Sequence, residues 1–275
     1  NVPFMLQLGG GEALEVVVTL FEHFGYRWAY RVVDSRAFGL PQRRKRVIML
    51  ASLDGDPCEV LLADDAGEPA PPDPTTWHDR ACGFYWTEGV RGLGWADDAV
   101  PTLKAGSTLG IPSPPAIVLP TGEVVKPDIR DAERLQGFEP GWTAPSETVA
   151  RPGHRWKLVG NAVTVEVAEW LGRRLRAPAV YDASGDSVLE RVRAWPSAGY
   201  QVDGRRMQSS CTAWPARLPH PPLAEFLRFE PAPLSARATA GFLDRTAKGR
   251  LAFPPGFLDA VRAHLARIER HGIAA

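Results

Sequence analysis

The chain has 275 residues, 44% of them hydrophobic, enough for a sizeable core and more than one lobe. Lysine plus arginine and aspartate plus glutamate stand at 32 each, so no global field marks the chain for nucleic acid and any anion site has to be local. Three scattered cysteines without zinc-ligand spacing, no apolar run of membrane-spanning length and no signal-peptide pattern make it read as soluble and cytoplasmic, with no metal centre and no membrane partner.

The first residues, Asn1-Val2-Pro3, carry no methionine, as though cut from something longer. Leu14, Val17, Val18 and Phe21 then fall at helical spacing, with Gly25 as a stop. The segment RWAYRVV, aromatic and β-branched, predicts a strand, and RVIMLASL a second one. Between them lies a loop marked by Gly39 and Pro41, which ends in the densest positive cluster of the chain, Arg43, Arg44, Lys45 and Arg46. A strand starting at Arg46 projects alternate side chains from the loop end of a sheet, where open α/β sheets commonly bind ligands. Arginine forks there suit phosphate oxygens or a base carbonyl.

From about residue 54 to 127 the chain turns proline- and then glycine-rich, with Pro69, Pro71, Pro72 and Pro74 close together, which fits short strands and long loops. The tryptophans and tyrosine between Trp77 and Trp95 read as packing for a small lobe. PDIRDAERLQGF predicts a helix ending near Gly137, and NAVTVEVAEWLGRRLR another, opened by Asn161 as an N-cap, with Val163, Val167, Trp170 and Leu171 on one side. Beyond 178, Trp195-Pro196 and Trp214-Pro215 predict extended segments. LSARATAGFLDR predicts a helix capped by Ser235. The last helix carries Phe257, Leu258, Val261, Leu265 and Ile268 on one face and stops at Gly272.

Four short blocks resemble those of the DNA (cytosine-5) methyltransferases, in that family's order. Asn1-Val2 resembles the end of its Glu-Asn-Val block, and GLPQRRKR its Gly-x-Pro-Gln-x-Arg-x-Arg block. RDAERLQGF resembles the Arg-Leu-Gln-Gly-Phe block, and GNAV the Gly-Asn-Ala-Val block. The only two asparagines of the chain, Asn1 and Asn161, both sit inside these blocks.

The resemblance implies an α/β fold. Residues 1–54 are then the C-terminal part of a catalytic domain with a Rossmann-like, S-adenosylmethionine-dependent methyltransferase sheet. Residues 55–127 are an inserted, loop-rich target recognition domain, 128–177 return to the catalytic domain, and 178–275 form a C-terminal α+β extension of unknown role. It implies methyl transfer from S-adenosyl-L-methionine to C5 of a cytosine flipped out of double-stranded DNA, in bacterial restriction-modification or defence. Arg46 would hold the cytosine O2, Arg44 would support it, and Asn1 would brace the base-gripping loop. Gly160, Asn161, Ala162 and Val163 would border the cofactor. Arg134 and Gln136 would lie near DNA, and Arg91, Thr102, Lys104 and Ser107 are available to contact it.

The family's Pro-Cys-Gln nucleophile loop and Phe-x-Gly-x-Gly cofactor loop are not in this sequence. Pro57-Cys58-Glu59 follows the arginine block instead of preceding it, and Gly9-Gly10-Gly11 has no strand before it. The chain is therefore expected to be inactive alone. Its N-terminal catalytic half would belong to the same chain if truncated, or to a separate subunit if the enzyme is split. The alternative is a non-catalytic DNA-recognition subunit whose arginines bind only phosphate.

Overall fold

The computed structural model describes residues 1–106, 113–190 and 194–270. Its strands, in chain order, are β1 (Arg27–Asp34), β2 (Gln42–Arg43), β3 (Lys45–Ser52), β4 (Cys82–Phe84), β5 (Val100–Pro101) and β6 (Ala116–Val118). They continue with β7 (Val124–Lys126), β8 (Ser187–Val188), β9 (Ala198–Val202), β10 (Arg205–Gln208) and β11 (Ala232–Pro233). The helices are α1 (Glu12–His23), α2 (Pro57–Leu61), α3 (Ile129–Arg134), α4 (His154–Asn161) and α5 (Val165–Arg176), then α6 (Leu223–Phe226), α7 (Ala236–Ala247) and α8 (Phe257–Arg270). This is the mixed α/β character the sequence predicts. The chain divides into two units, the first made of Asn1–Gly39, Arg44–Pro69 and Glu166–Pro219, the second of Leu40–Arg43, Ala70–Val165 and His220–Ala275.

In the first unit, the five-stranded sheet runs β3-β1-β9-β10-β8, antiparallel at every pairing. β1 is its second strand, buried at every position after Arg27, which is why it reads as a near-continuous apolar run. β3 lies along one side of β1 from Arg27↔Ser52 to Asp34↔Lys45, and β9 along the other at Ala29↔Tyr200. The one cation inside β1, Arg31, is fully buried and satisfied by the Thr212, Leu61 and Asp64 carbonyls and by Asp65 at 2.6 Å. Trp28, Tyr30 and Trp195 form the aromatic centre of this core.

In the second unit a four-stranded antiparallel sheet, β11-β7-β6-β4, and a short parallel pair, β2-β5, carry two apolar clusters. One gathers Leu103, Ile117, Leu135 and Val159. The other joins Trp77, Phe84 and Val124 to Leu234, Phe242, Phe257 and Val261 from α7, α8 and the segment before them. Trp77 meets Trp95 edge-on at 5.4 Å and is also close to Phe257, so these aromatics do pack the lobe.

Two expectations change. Residues 178–275 are not one extension. The part to Pro219 supplies β8, β9 and β10 to the first unit, and the part from His220 supplies β11 and α6–α8 to the second. Periodicity locates such elements but carries no information about which distant strand they pair with. Second, Gly-Asn-Ala-Val does not open a helix. Asn161 is the last residue of α4, whose end is closed by the Ala162 N–H on Leu158 O, and α5 starts at Val165. Gln136 makes the break, because its carbonyl accepts the Val165 N–H at 2.9 Å and its amide oxygen accepts the Thr164 hydroxyl at 3.0 Å. Both partners are thereby drawn out of one continuous helical ladder. Val163, expected on the buried side, is 67% exposed.

Ser235 caps α7 as expected, accepting the Ala238 N–H. The buried face of α8 is Phe257, Val261, His264 and Ile268, one position off the expected stripe at Leu265, and the stop at Gly272 lies outside the described residues. Among the described residues no helix is long and apolar enough to cross a membrane.

Candidate active-site and DNA-contact residues

The arginine block begins at a loop fixed by one buried carboxylate. Asp34, fully buried at the end of β1, accepts the Arg36 N–H, two bonds from the Arg36 guanidinium and the Arg44 N–H at 3.3 Å. The Ser35 N–H returns a bond to Arg44 O at 3.1 Å. The two ends of the loop are thus pinned beside each other, and Arg44 enters the interior at 3% exposure. Lys45 and Arg46 then open β3, where Arg46 pairs across from Val33, stays half-buried, and places one guanidinium N–H on Lys45 O at 2.8 Å.

Asn1 belongs to the same place. Its nitrogen donates to Val47 O at 2.7 Å, Val47 N–H donates back to Asn1 O at 2.7 Å, and its side-chain oxygen accepts the Val2 N–H. Burial first, then the positive charges of Arg46 and Arg44, lower the pKa of the Asn1 amino group. The structure thus brings Asn1, distant in sequence, to Arg44 and Arg46 in one electropositive cluster at the start of β3.

The other expected residues lie in the second unit. Gln136 is fully buried, and its Nε2 donates to Val159 O at 2.7 Å while Gln42 approaches its Oε1 at 3.2 Å. No part of its side chain is at a surface, and its amide is committed to Val159 O of α4 and the Thr164 hydroxyl between α4 and α5. Arg134 likewise turns inward. It bonds Asp131 and Phe226 O, and its guanidinium lies 4.3 Å from the Phe226 ring. Thr102 donates its hydroxyl to Arg43 O at 2.9 Å, and Lys104 stands over the Tyr85 ring at 3.6 Å and near Glu88 at 3.4 Å. Arg91 is exposed on a loop, and Ser107 lies outside the described residues.

The expected cofactor border divides. A Cβ on Gly160 would stand 2.3 Å from the Lys104 carbonyl carbon, so its missing side chain makes room for the 104–105 backbone. Asn161 and Val163 are exposed and available, and Ala162 borders an apolar depression of about 260 Å³ with Phe138, Trp142 and Leu158. Beneath it, buried Glu133 holds the 141–143 turn by the Gly141 and Thr143 N–H groups and meets Arg155 at 2.8 Å. Burial alone would raise the Glu133 carboxyl, but the bonds from Arg155, Thr143 and Gly141 outweigh it and hold it low.

All three cysteines are buried, and burial pushes every thiol up, that of Cys82 to about 12. Cys58 sits in the first turn of α2, its N–H capped by Asp56. The reading of motifs missed Asp34 and Gln42. Asp34 had a signal, an Asp-Ser pair just after a strand, which favours a side-chain-capped turn. Gln42 had none beyond its block. Fully buried, it bonds Leu135 O at 2.6 Å and accepts the Leu103 N–H at 3.1 Å.

The family model described as C-5 cytosine-specific DNA methylase matches residues 1–76, the stretch that holds Asn1 and the arginine block. Beyond that stretch, the chain is similar to bacterial type II methyltransferases. Over 257 residues, 90% of its length, it is 45% identical to the type II methyltransferase M2.BsuMI of Bacillus subtilis (strain 168) and spans 65% of that protein. It is 26% identical over 195 residues to the type II methyltransferase M.MspI of Moraxella sp, 44% of whose length it covers. A 50-residue stretch is 44% identical to the type II methyltransferase M.BspRI of Lysinibacillus sphaericus.

Proposed function

We propose that the chain acts as part of a DNA (cytosine-5) methyltransferase of restriction-modification type, and that the attacking thiolate comes from polypeptide outside these 275 residues. The observation that carries the reading is the convergence of Asn1, Arg44 and Arg46 at the head of β3, inside the stretch that the family model matches. In this chemistry a thiolate adds to C6 of a flipped cytosine, C5 takes a methyl group, and loss of the C5 proton releases the enzyme. Arg46 donates to the cytosine O2, where negative charge builds up as C6 is attacked. Arg44 holds the electropositive wall from behind, and Asn1 fixes the backbone beside it. S-adenosylmethionine, when bound, supplies the electrophilic methyl group. Asn161, Ala162 and Val163 form the part of its border that this chain offers, whereas Gly160 is used by packing.

Two surfaces support completion by further polypeptide. β3 is an edge strand of eight residues whose apolar stretch from Val47 to Ala51 carries no charge or proline to blunt pairing, and Asn1 already pairs with it antiparallel at Val47. On α1, Val16 and Leu20, followed by Phe24 just beyond its end, lie exposed in a four-residue repeat along one side.

The test mixes this chain with an N-terminal half that carries Pro-Cys-Gln and follows transfer of labelled methyl to duplex DNA. Activity is expected only in the mixture, and Arg46→Ala should lower the rate about a hundred-fold, the usual cost of losing one preorganised donor. Activity that survives Arg46→Ala unchanged sinks the O2 assignment. Activity lost on Cys58→Ala overturns the assignment of the thiolate to another polypeptide.

A further inference from the structure

The loop from Tyr85 to Gly94 has a heavily bonded base and a bare tip. The Tyr85 N–H closes it on Leu93 O at 2.8 Å, and the Tyr85 hydroxyl reaches Thr102 O at 2.8 Å. On one flank Trp86 Nε1 donates to Pro114 O at 2.9 Å, and the buried hydroxyls of Thr87 and Ser113 meet at 2.9 Å. On the other flank Arg245 of α7 donates to Trp86 O at 2.8 Å and to Glu88 O at 3.0 Å. Gly249 fits against the loop only as glycine, since a Cβ there would stand 2.7 Å from Gly89 O.

Past this base the chain is Gly89-Val90-Arg91-Gly92. Gly89 takes a φ of +122°, Val90 is 46% exposed, Arg91 is exposed, and among the described residues nothing lies within 4 Å of where a Gly92 Cβ would be. An exposed apolar residue beside a cation, flanked by glycines on a base with six side-chain or backbone groups tied down, is costly as a mere connection. Most loop tips of this size spend polar residues on solvent. Gly89 makes room for α7, since a Cβ on it would stand 3.3 Å from Thr246 Cγ2 and 3.4 Å from Arg245 Cβ, whereas Gly92 is open and lets the backbone approach a surface. The valine and guanidinium are the two groups that read a major groove, by a thymine methyl and by guanine O6 and N7.

We infer that the Val90–Arg91 tip reads base edges in duplex DNA, and that Arg245, from the stretch 178–275 expected to be an extension of unknown role, is its positioning residue. The assignment rests on the proposed function and adds to it the residues that set the target sequence. It also gives α7 a part in specificity. Arg245 touches no DNA and acts through the two carbonyls it holds, so its loss should change which sequence is preferred without removing phosphate contacts.

The experiment selects bound duplexes from a randomised library with the full 275-residue chain and sequences them. The variants are Arg91→Ala, Arg245→Met, Arg245→Lys and the Arg91→Ala/Arg245→Met pair, with folding checked by thermal melting. Arg91→Ala should relax preference at one or two base pairs about ten- to hundred-fold, the range of one bidentate contact. Arg245→Met should relax the same positions with no further loss in the pair, and Arg245→Lys, which keeps one donor, should restore part of it. Unchanged preference in Arg91→Ala overturns the tip assignment, and a shift in Arg91→Ala without one in either Arg245 variant overturns the positioning role. If the unaltered chain retains no duplex at all, the DNA reading itself falls, and this assignment with it.

Discussion

At Gly160 a single hydrogen decides whether helix α4 can lie where it does. Glycine inside a helix ordinarily costs about 1 kcal/mol relative to alanine, so Gly160→Ala should stabilise on propensity alone. The close approach of the Lys104 and Ala105 backbone reverses the sign, because overfilling a packed site costs about 1–3 kcal/mol and backbone cannot swing away as a side chain would. Gly160→Ala should therefore lower the urea midpoint with an unchanged slope, and a raised midpoint would show the contact to be loose. Gln136 makes a matching case. Replaced by leucine it takes the amide donor from the Val159 carbonyl and the acceptor from the Thr164 hydroxyl, at about 1–3 kcal/mol for a network that does not relax. DNA affinity of the folded fraction should be unchanged by Gln136→Leu, and a specific loss of affinity would restore the contact that burial argues against. The block residues themselves were legible in the sequence, but which of them face inward was not. A glutamine that touches a base and one that ties three helices together are spelled alike.

At the level of elements, α8 is held to its neighbours by a histidine. His264 is 1% exposed, its Nδ1 accepts the Val124 N–H of β7 at 3.2 Å, and its Nε2 donates to Leu234 O at 2.9 Å. That pairing needs the neutral ring. Burial lowers its pKa from the ordinary 6.5, Arg267 lowers it further, and Leu234 and Glu123 oppose without overcoming them. Because the folded value lies below the unfolded one, the stability is present above pH 6.5 and is lost as pH falls through that value toward the folded pKa. Acidification from pH 7.5 to 5.5 should thus lower the melting temperature, and His264→Asn should flatten that dependence. An equal pH response in the variant would assign it elsewhere. The elements that periodicity predicts are mostly present: α1, β1, β3, α7 and α8 lie where apolar spacing and caps put them. The break between α4 and α5 was hidden, because it comes from a partner 25 residues upstream of Asn161 and not from any breaker in the local sequence.

For the molecule as a whole, the interleaving of the two units changes what a truncation does. Removing residues 220–275 does not trim a tail. It takes Leu234, Phe242, Phe257 and Val261 out of the cluster around Trp77 and Phe84, each a loss of about 2–5 kcal/mol when emptied singly. A chain ending at Pro219 should lose the near-ultraviolet signal of Trp77 and Trp95, and retention of that signal would mark the C-terminal helices as dispensable. The salt response belongs to this scale too. With equal numbers of acidic and basic side chains, DNA affinity should come from local arginine clusters and fall linearly in log–log plots against salt, whereas a flat response argues against DNA.

The same interleaving bears on how the protein is made. β1 finds β3 within a few residues of leaving the ribosome, but its other neighbour, β9, is synthesised about 170 residues later, and the pairing Ala29↔Tyr200 waits for it. At roughly 5–20 residues per second that wait is about 10–30 s. Throughout it, a strand that is buried at seven of its eight positions in the finished sheet has one edge open to other nascent chains. Translation speed and chaperone supply therefore set the yield of this protein as much as its final stability does.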